Sequence, residues 1–198
     1  MDASQVADAF GVMAVLAIAG ALLATVAAAA SADARATVRR LVDEHARVSV
    51  WLVAAIATAG SLWFSQSAGF TPCTLCWYQR IAVYPLVVVL GLRALRPGGS
   101  RDLRLAALVL VGAGLAVNVW HVVIETWPTL DSGACSASVP CTLRWVEGLG
   151  FFTIPRLATV VFGLVGLGLL LDRTDARRAG ADELAPYAGS PVPQEEHA

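Results

Sequence analysis

Four cysteines carry the chemistry most easily read from this sequence. Cys73 and Cys76 form a Cys-x-x-Cys pair, and Cys135 and Cys141 form a second pair with five residues between them. A thiolate attacks a disulfide sulfur and passes two electrons on, so two neighbouring pairs can act as a relay. Two structural disulfides pinning loops are the plainer reading. Against it, a ring closed by Cys73 and Cys76 constrains very little chain and so stabilises little, whereas Cys-x-x-Cys is a common redox device. Cys76 also stands directly before an apolar span. A helix start carries unpaired N–H groups and partial positive charge, which favour thiolate over thiol. A four-sulfur zinc site is a third reading. The loose second spacing and an oxidising setting argue against it, and no metal is expected.

Elements to position these pairs are plain in the hydropathy. The chain has 198 residues, 57% of them hydrophobic and only 15% charged, which is too apolar for an ordinary soluble domain. Five apolar spans run roughly over 6–30, 48–64, 77–95, 103–124 and 151–171. Each is long enough for a hydrocarbon core of about 30 Å, and each is read as a helix because backbone groups in lipid need partners within their own segment. The expectation is an all-α, polytopic membrane helical bundle in a lipid bilayer.

All 14 basic residues are arginine, and eleven fall on one side of these spans. They are Arg35, Arg39, Arg40 and Arg47 before the second span, Arg93, Arg96, Arg101 and Arg104 around the third connection, and Arg173, Arg177 and Arg178 after the fifth. The positive-inside rule places them in the cytoplasm. The N-terminus then starts outside, the C-terminus ends inside, and all four cysteines face the extracytoplasmic side, where disulfides persist. The first span could be mistaken for a signal peptide ending at Ala28–Ala32. However, its n-region holds Asp2 and Asp8 and no positive charge, the wrong pattern for one. The connection 96–102 reads as a tight turn. The tail from Asp172 is rich in Ala, Pro, Glu and Gly and is expected to be disordered. No basic face with interleaved aromatics is present, so nucleic acid is not a partner.

Polar residues within the spans are functional candidates by default. Arg80 stands one turn below Cys76 on the same helix face. There it could stabilise a thiolate and donate to an oxygen of an acceptor, or simply snorkel to headgroups. Asn118, His121 and Glu125 share a face of the fourth span near its outer end, either as a proton relay or as water-interface residues. In the cysteine loop, Ser132, Gly133, Ser136, Ala137 and Ser138 are pliable, while Pro140 limits one side. Leu143, Trp145, Val146 and Leu149 suggest a short amphipathic segment or ordinary loop anchors. Trp77 and Tyr78 are read as interface-belt residues.

The run Thr71-Pro-Cys-Thr-Leu-Cys-Trp-Tyr-Gln-Arg80, continued by Ile-Ala-Val-Tyr-Pro85, resembles the signature of the DsbB family, and within it the BdbC-like subgroup. Val139-Pro-Cys-Thr142 and Gly150-Phe-Phe-Thr-Ile-Pro155 are similar to it as well. The resemblance covers about Val48 to Leu171 and implies a DsbB-like four-helix core over 48–171. Residues 1–47 then form an extra N-terminal transmembrane helix with its Arg-rich connection, and 172–198 form the tail. It implies a membrane oxidase that regenerates a DsbA-like thioredoxin-fold thiol oxidase and reduces a membrane quinone, ubiquinone or menaquinone. By the same resemblance Cys73 and Cys76 are the quinone-proximal pair, with Cys76 facing the quinone, and Arg80 supports quinone binding. Cys135 and Cys141 meet the partner, Cys135 being attacked first and Cys141 relaying to Cys73. His121 is a further candidate at the quinone. Two other functions are weighed: a quinone reductase of the vitamin K epoxide reductase type, which typically carries its Cys-x-x-Cys on a later helix, and a non-enzymatic membrane protein with structural disulfides.

Overall fold

A computed structural model describes residues 2–96, 100–131, 133, 135–136 and 138–172. Arg173, Arg177, Arg178 and the rest of the tail after Asp172 lie outside these residues, as do the centre of the 96–102 turn and Ser132 and Ala137 of the loop, whereas Asp172 itself, read as the start of a disordered tail, is buried and paired with Arg93. Among the described residues five helices follow in order: α1 (Ala3–Ala30), α2 (Ala32–Gln66), α3 (Thr74–Leu95), α4 (Arg101–Thr126) and α5 (Ile154–Leu171), with one 3-10 turn at Pro128–Leu130. All five are long and apolar enough to cross a membrane. The bundle is all-helical among the described residues, as the composition requires.

Several helix ends differ by a few residues from the hydropathy reading, α3 starting at Thr74 so that Cys76 lies inside it, and two of the differences have a clear cause. The Arg-rich stretch before the second span is helical and continuous with it, so α2 has 35 residues and is about 52 Å long. Ser31 starts it: the backbone is extended there, and the side-chain oxygen accepts from Ala34 N at 3.1 Å. Ala and Arg, both good helix formers, then carry the helix through charged sequence that hydropathy alone scores as a break. The division at residue 47 therefore falls inside one helix. At the other end of the chain, α5 starts at Ile154 rather than 151, because a tight turn precedes it. Gly148 and Phe152 pair across that turn, Leu149 (φ 52°) and Gly150 (φ 68°) are left-handed, and Pro155 sits in the first helical turn, where its missing N–H has no cost.

Helices α2 to α5 pack around a core of Val50, Ala54, Leu86, Leu90, Val111, Val165 and Leu169. Gly114 of α4 has no Cβ where the Phe162 ring and Ala82 press against it, so the helices approach closely at that level. Leu22, Leu23, Val26, Val88, Val109 and Leu170 point outward, the pattern of a protein whose solvent is lipid. Arginines tie one end of the bundle together. Arg47 Nη1 donates to Arg96 O at 3.0 Å, Arg104 Nε donates to Leu169 O at 2.9 Å, and Arg93 pairs with Asp172 at 2.6 Å. Both members of that last pair are buried. The cysteines lie at the opposite end.

Candidate redox site

Local geometry at the start of α3 brings the first cysteine pair together. Cys73 is the N-cap residue, and its sulfur accepts from Cys76 N at 3.2 Å. The two Sγ atoms lie 2.6 Å apart. The helix-end N–H therefore reaches Cys73 rather than Cys76, the residue to which the sequence reading assigned that influence. Hydrogen bonding from the Cys76 thiol is the largest influence on Cys73 and holds its thiol well below the ordinary range. Burial opposes this, and His121 adds to it.

Cys135 and Cys141 are joined by a disulfide. Cys141 is buried at 1% exposure, whereas Cys135 is only partly covered. The sulfurs of Cys73 and Cys141 and a ring nitrogen of His121 all lie within 4.8 Å of one another. Cys73, Leu75, Ile124 and Cys141 form one buried cluster, with Cys76 and Cys135 against it. The loop pair thus rests on the helix pair.

His121 stands between the pairs rather than beside the cavity described below. Its Nε2 is 3.1 Å from Cys141 O and 3.8 Å from Cys73 Sγ. Its Nδ1 is 3.1 Å from Gln79 Nε2. Gln79 Nε2 can only donate, so Nδ1 accepts, and in the neutral ring Nε2 carries the proton that points at Cys141 O. Gln79 also contacts the Asn118 amide at 2.8 Å, and Asn118 contacts the Thr159 hydroxyl at 2.6 Å. One polar chain therefore joins α3, α4 and α5 beneath the cysteines. Glu125 closes the loop side: it accepts from Thr153 Oγ1 at 2.9 Å and pairs with Arg144 Nε at 3.1 Å. Asn118, His121 and Glu125 are all buried, so the water-interface alternative for this face does not hold.

On the other side of Cys76 is a cavity of about 130 Å³ between α2, α3 and α5. Phe64, Phe70, Trp145, Ile154, Val161 and Phe162 give it apolar and aromatic walls, while Cys76, Gln79 and Arg80 supply polar edges. Arg80 is held in place by Ser61: Nε donates to the hydroxyl at 3.0 Å and Nη2 to the carbonyl at 2.9 Å. Trp145 stacks on Phe70 with ring centroids 4.9 Å apart. The residues around it form turns, so no amphipathic helix occurs there, and this tryptophan, still partly exposed, lies on Phe70 at the cavity edge. Trp77 and Tyr78 are exposed at the helix surface.

Cys73, Cys76, Cys135, Cys141 and His121 thus meet in one cluster, and Arg80 joins Cys76 at the cavity. Sequence reasoning gave no role to Gln79, Ser61, Thr153 or Arg144. Gln79 was open to discovery as an uncharged polar residue inside a span, three residues after Cys76. The others contribute through partners far away in the chain, which spacing does not reveal.

The sequence profile of the family described as disulfide bond formation protein DsbB matches residues 43–152. A probable disulfide formation protein of Oceanobacillus iheyensis is 39% identical over 139 residues, covering 69% of this chain and 94% of that protein. Disulfide bond formation protein C of Bacillus subtilis is 38% identical over 116 residues, 58% of this chain and 83% of that one. A probable disulfide formation protein C 1 of Bacillus anthracis is 39% identical over 123 residues, 61% and 86% of the two chains. No solved structure matches the chain. The matched residues include the first cysteine pair and the loop that carries the second. This chain therefore belongs to the DsbB family of disulfide bond formation proteins, whose membership implies disulfide oxidoreductase activity, and is a multi-pass membrane helical bundle with its four cysteines at one end.

Proposed function

We propose that this protein reoxidises an extracytoplasmic, DsbA-like thioredoxin-fold thiol oxidase and passes the electrons to a membrane quinone. The observation that carries the reading is the position of Cys73. Its sulfur lies within 4.8 Å of Cys141 on one side and 2.6 Å from Cys76 on the other, and Cys76 opens onto the apolar cavity.

The relay begins when a partner thiolate attacks Cys135, the more accessible sulfur of its pair. The Cys135–Cys141 bond breaks and a mixed disulfide forms. The partner's second thiolate then displaces Cys135, so the partner leaves oxidised and the loop pair is reduced. Cys141 next attacks Cys73 of an oxidised Cys73–Cys76 pair and expels Cys76 as thiolate. Cys135 attacks Cys141, restoring the loop disulfide and leaving Cys73 and Cys76 reduced. Two electrons and two protons now reside on the helix pair. A quinone held beside Cys76 would supply the two-electron, two-proton acceptor, and Cys73 and Cys76 would rejoin as a disulfide as they give up their electrons and protons.

The residues present suit such a guest. An apolar cavity of about 150 Å³ accepts a benzene-sized ring, and this one is of similar size with aromatic walls. Arg80, pinned through two of its nitrogens, offers Nη1 for a quinone oxygen. His121, whose Nε2–H points at Cys141 O and lies 3.8 Å from Cys73 Sγ, is placed to stabilise negative charge that develops on the Cys73 sulfur during exchange. It serves the relay between the pairs, not the wall of the quinone site. Orientation follows the arginines, with the cysteine end outside and the arginine end in the cytoplasm.

The test is quinone absorbance in detergent after addition of a reduced DsbA-type protein. Wild type is expected to consume quinone, and Cys76→Ser to consume none. Wild type that leaves both quinone and partner thiols unchanged would return the cysteines to a structural role.

A further inference from the structure

Helix α1 lies before the family match, which starts at residue 43. Nonetheless it takes part in the cavity. Phe10 is among the cavity-lining residues, reaching it from α1 over Gly60 of α2. A Cβ on Gly60 would collide with the Phe10 ring. Phe10 also packs on Phe64, with ring centroids 6.1 Å apart. The glycine is therefore the opening through which a residue of the added helix enters a site otherwise built by α2, α3 and α5.

The same helix also holds another part of the lining in place. Asp8 Oδ1 accepts from Leu149 N at 2.8 Å. Leu149 has φ 52°, a left-handed conformation that a leucine adopts only when its surroundings hold it there. Its side chain lies against Gly11 of α1. This anchored turn ends the segment that carries Trp145 into the cavity. One helix thus supplies one wall directly and steadies the segment that supplies another.

We propose that α1 sets the width of the quinone site and that Phe10 is a specificity-determining residue, discriminating single-ring benzoquinones from double-ring naphthoquinones. The proposal rests on the cavity being the quinone site, as argued above. Phe10→Ala removes a ring from the wall and widens the space for a second fused ring. Phe10→Trp narrows it.

Binding is read without turnover, by quenching of tryptophan fluorescence in the full-length protein in detergent. The probes are a short-tailed ubiquinone analogue and menadione. The ratio of the two dissociation constants is expected to move roughly tenfold towards menadione in Phe10→Ala, a change of about 1.4 kcal/mol. It is expected to move the other way in Phe10→Trp. Saturable wild-type binding with the same ratio in both variants would overturn the role of α1 and leave the cavity assignment standing. No saturable quenching of wild type by either probe would overturn the cavity assignment, and the proposal with it. If Phe10→Ala does not fold, Phe10→Trp decides alone, since its ratio either shifts towards the benzoquinone or does not.

Discussion

The two ends of this bundle use charge and polarity in opposite ways. At the arginine end, polar groups close the structure: Arg47 and Arg104 cap carbonyls of neighbouring helices, and Arg93 meets Asp172 in a buried pair. At the cysteine end the polar groups are linked in a chain from Thr159 through Asn118 and Gln79 to His121, and that chain ends at sulfur. The first arrangement holds helices together. The second orients atoms that must react, and keeps a cavity open beside them. The difference teaches that buried polarity in a membrane bundle has to be read by where it leads, since both ends bury hydrogen-bonded polar side chains.

Breaking the arginine end should therefore harm stability and spare chemistry. Asp172→Ala leaves the Arg93 guanidinium without its carboxylate, and removing one partner of a buried pair costs about 3–5 kcal/mol. The expected outcome is a large fall in thermal midpoint in detergent, with the rate of electron transfer per folded molecule unchanged. A normal midpoint would show that the pair does not hold α3 to α5.

The cysteine end should respond with mixed effects. Gln79→Leu removes the donor to His121 Nδ1 and leaves Asn118 short of a partner, at a cost of about 1–3 kcal/mol. Transfer from the loop pair to the helix pair is expected to slow as the imidazole loses its fixed tautomer, while oxidation of the partner by the loop disulfide stays as in wild type. Rapid mixing with thiol trapping at intervals separates the two steps. Equal slowing of both steps would show a general packing defect instead.

The smallest effect is expected from Arg47→Ala, which removes one hydrogen bond between α2 and the end of α3, worth about 0.5–1.5 kcal/mol. Thermal unfolding should register a slight shift, and activity none. A measurable loss of activity would mean that the two ends are coupled along α2.

Much of this architecture was legible in the sequence because lipid imposes simple rules. Five apolar stretches had to be helices, and the four cysteines fell together once those helices were laid alternately. That Asn118, His121 and Glu125 share one face followed from their spacing, but the burial of that face did not. The helical course of 32–47 did not, since hydropathy registers its charges as a break while helix propensity does not. Nor did the place of His121: periodicity fixes which face of α4 it occupies, but only packing of the loop decides that Cys141 and Cys73, rather than the cavity, lie in front of it. The stacking of Trp145 on Phe70 and the entry of Phe10 over Gly60 depend on contacts between residues fifty or more positions apart, and no local pattern encodes them.

The pair between Arg93 and Asp172 joins residues 79 positions apart, and this bears on the order in which the protein is made. Arg93 emerges from the ribosome well before the last helix, whereas Asp172 comes only when that helix is complete. A nascent chain carrying three or four helices therefore has a cation where the finished protein has a neutralised seal. Closure of that seal marks the moment at which the last helix of the bundle is complete, and a chain cut short of Asp172 lacks it.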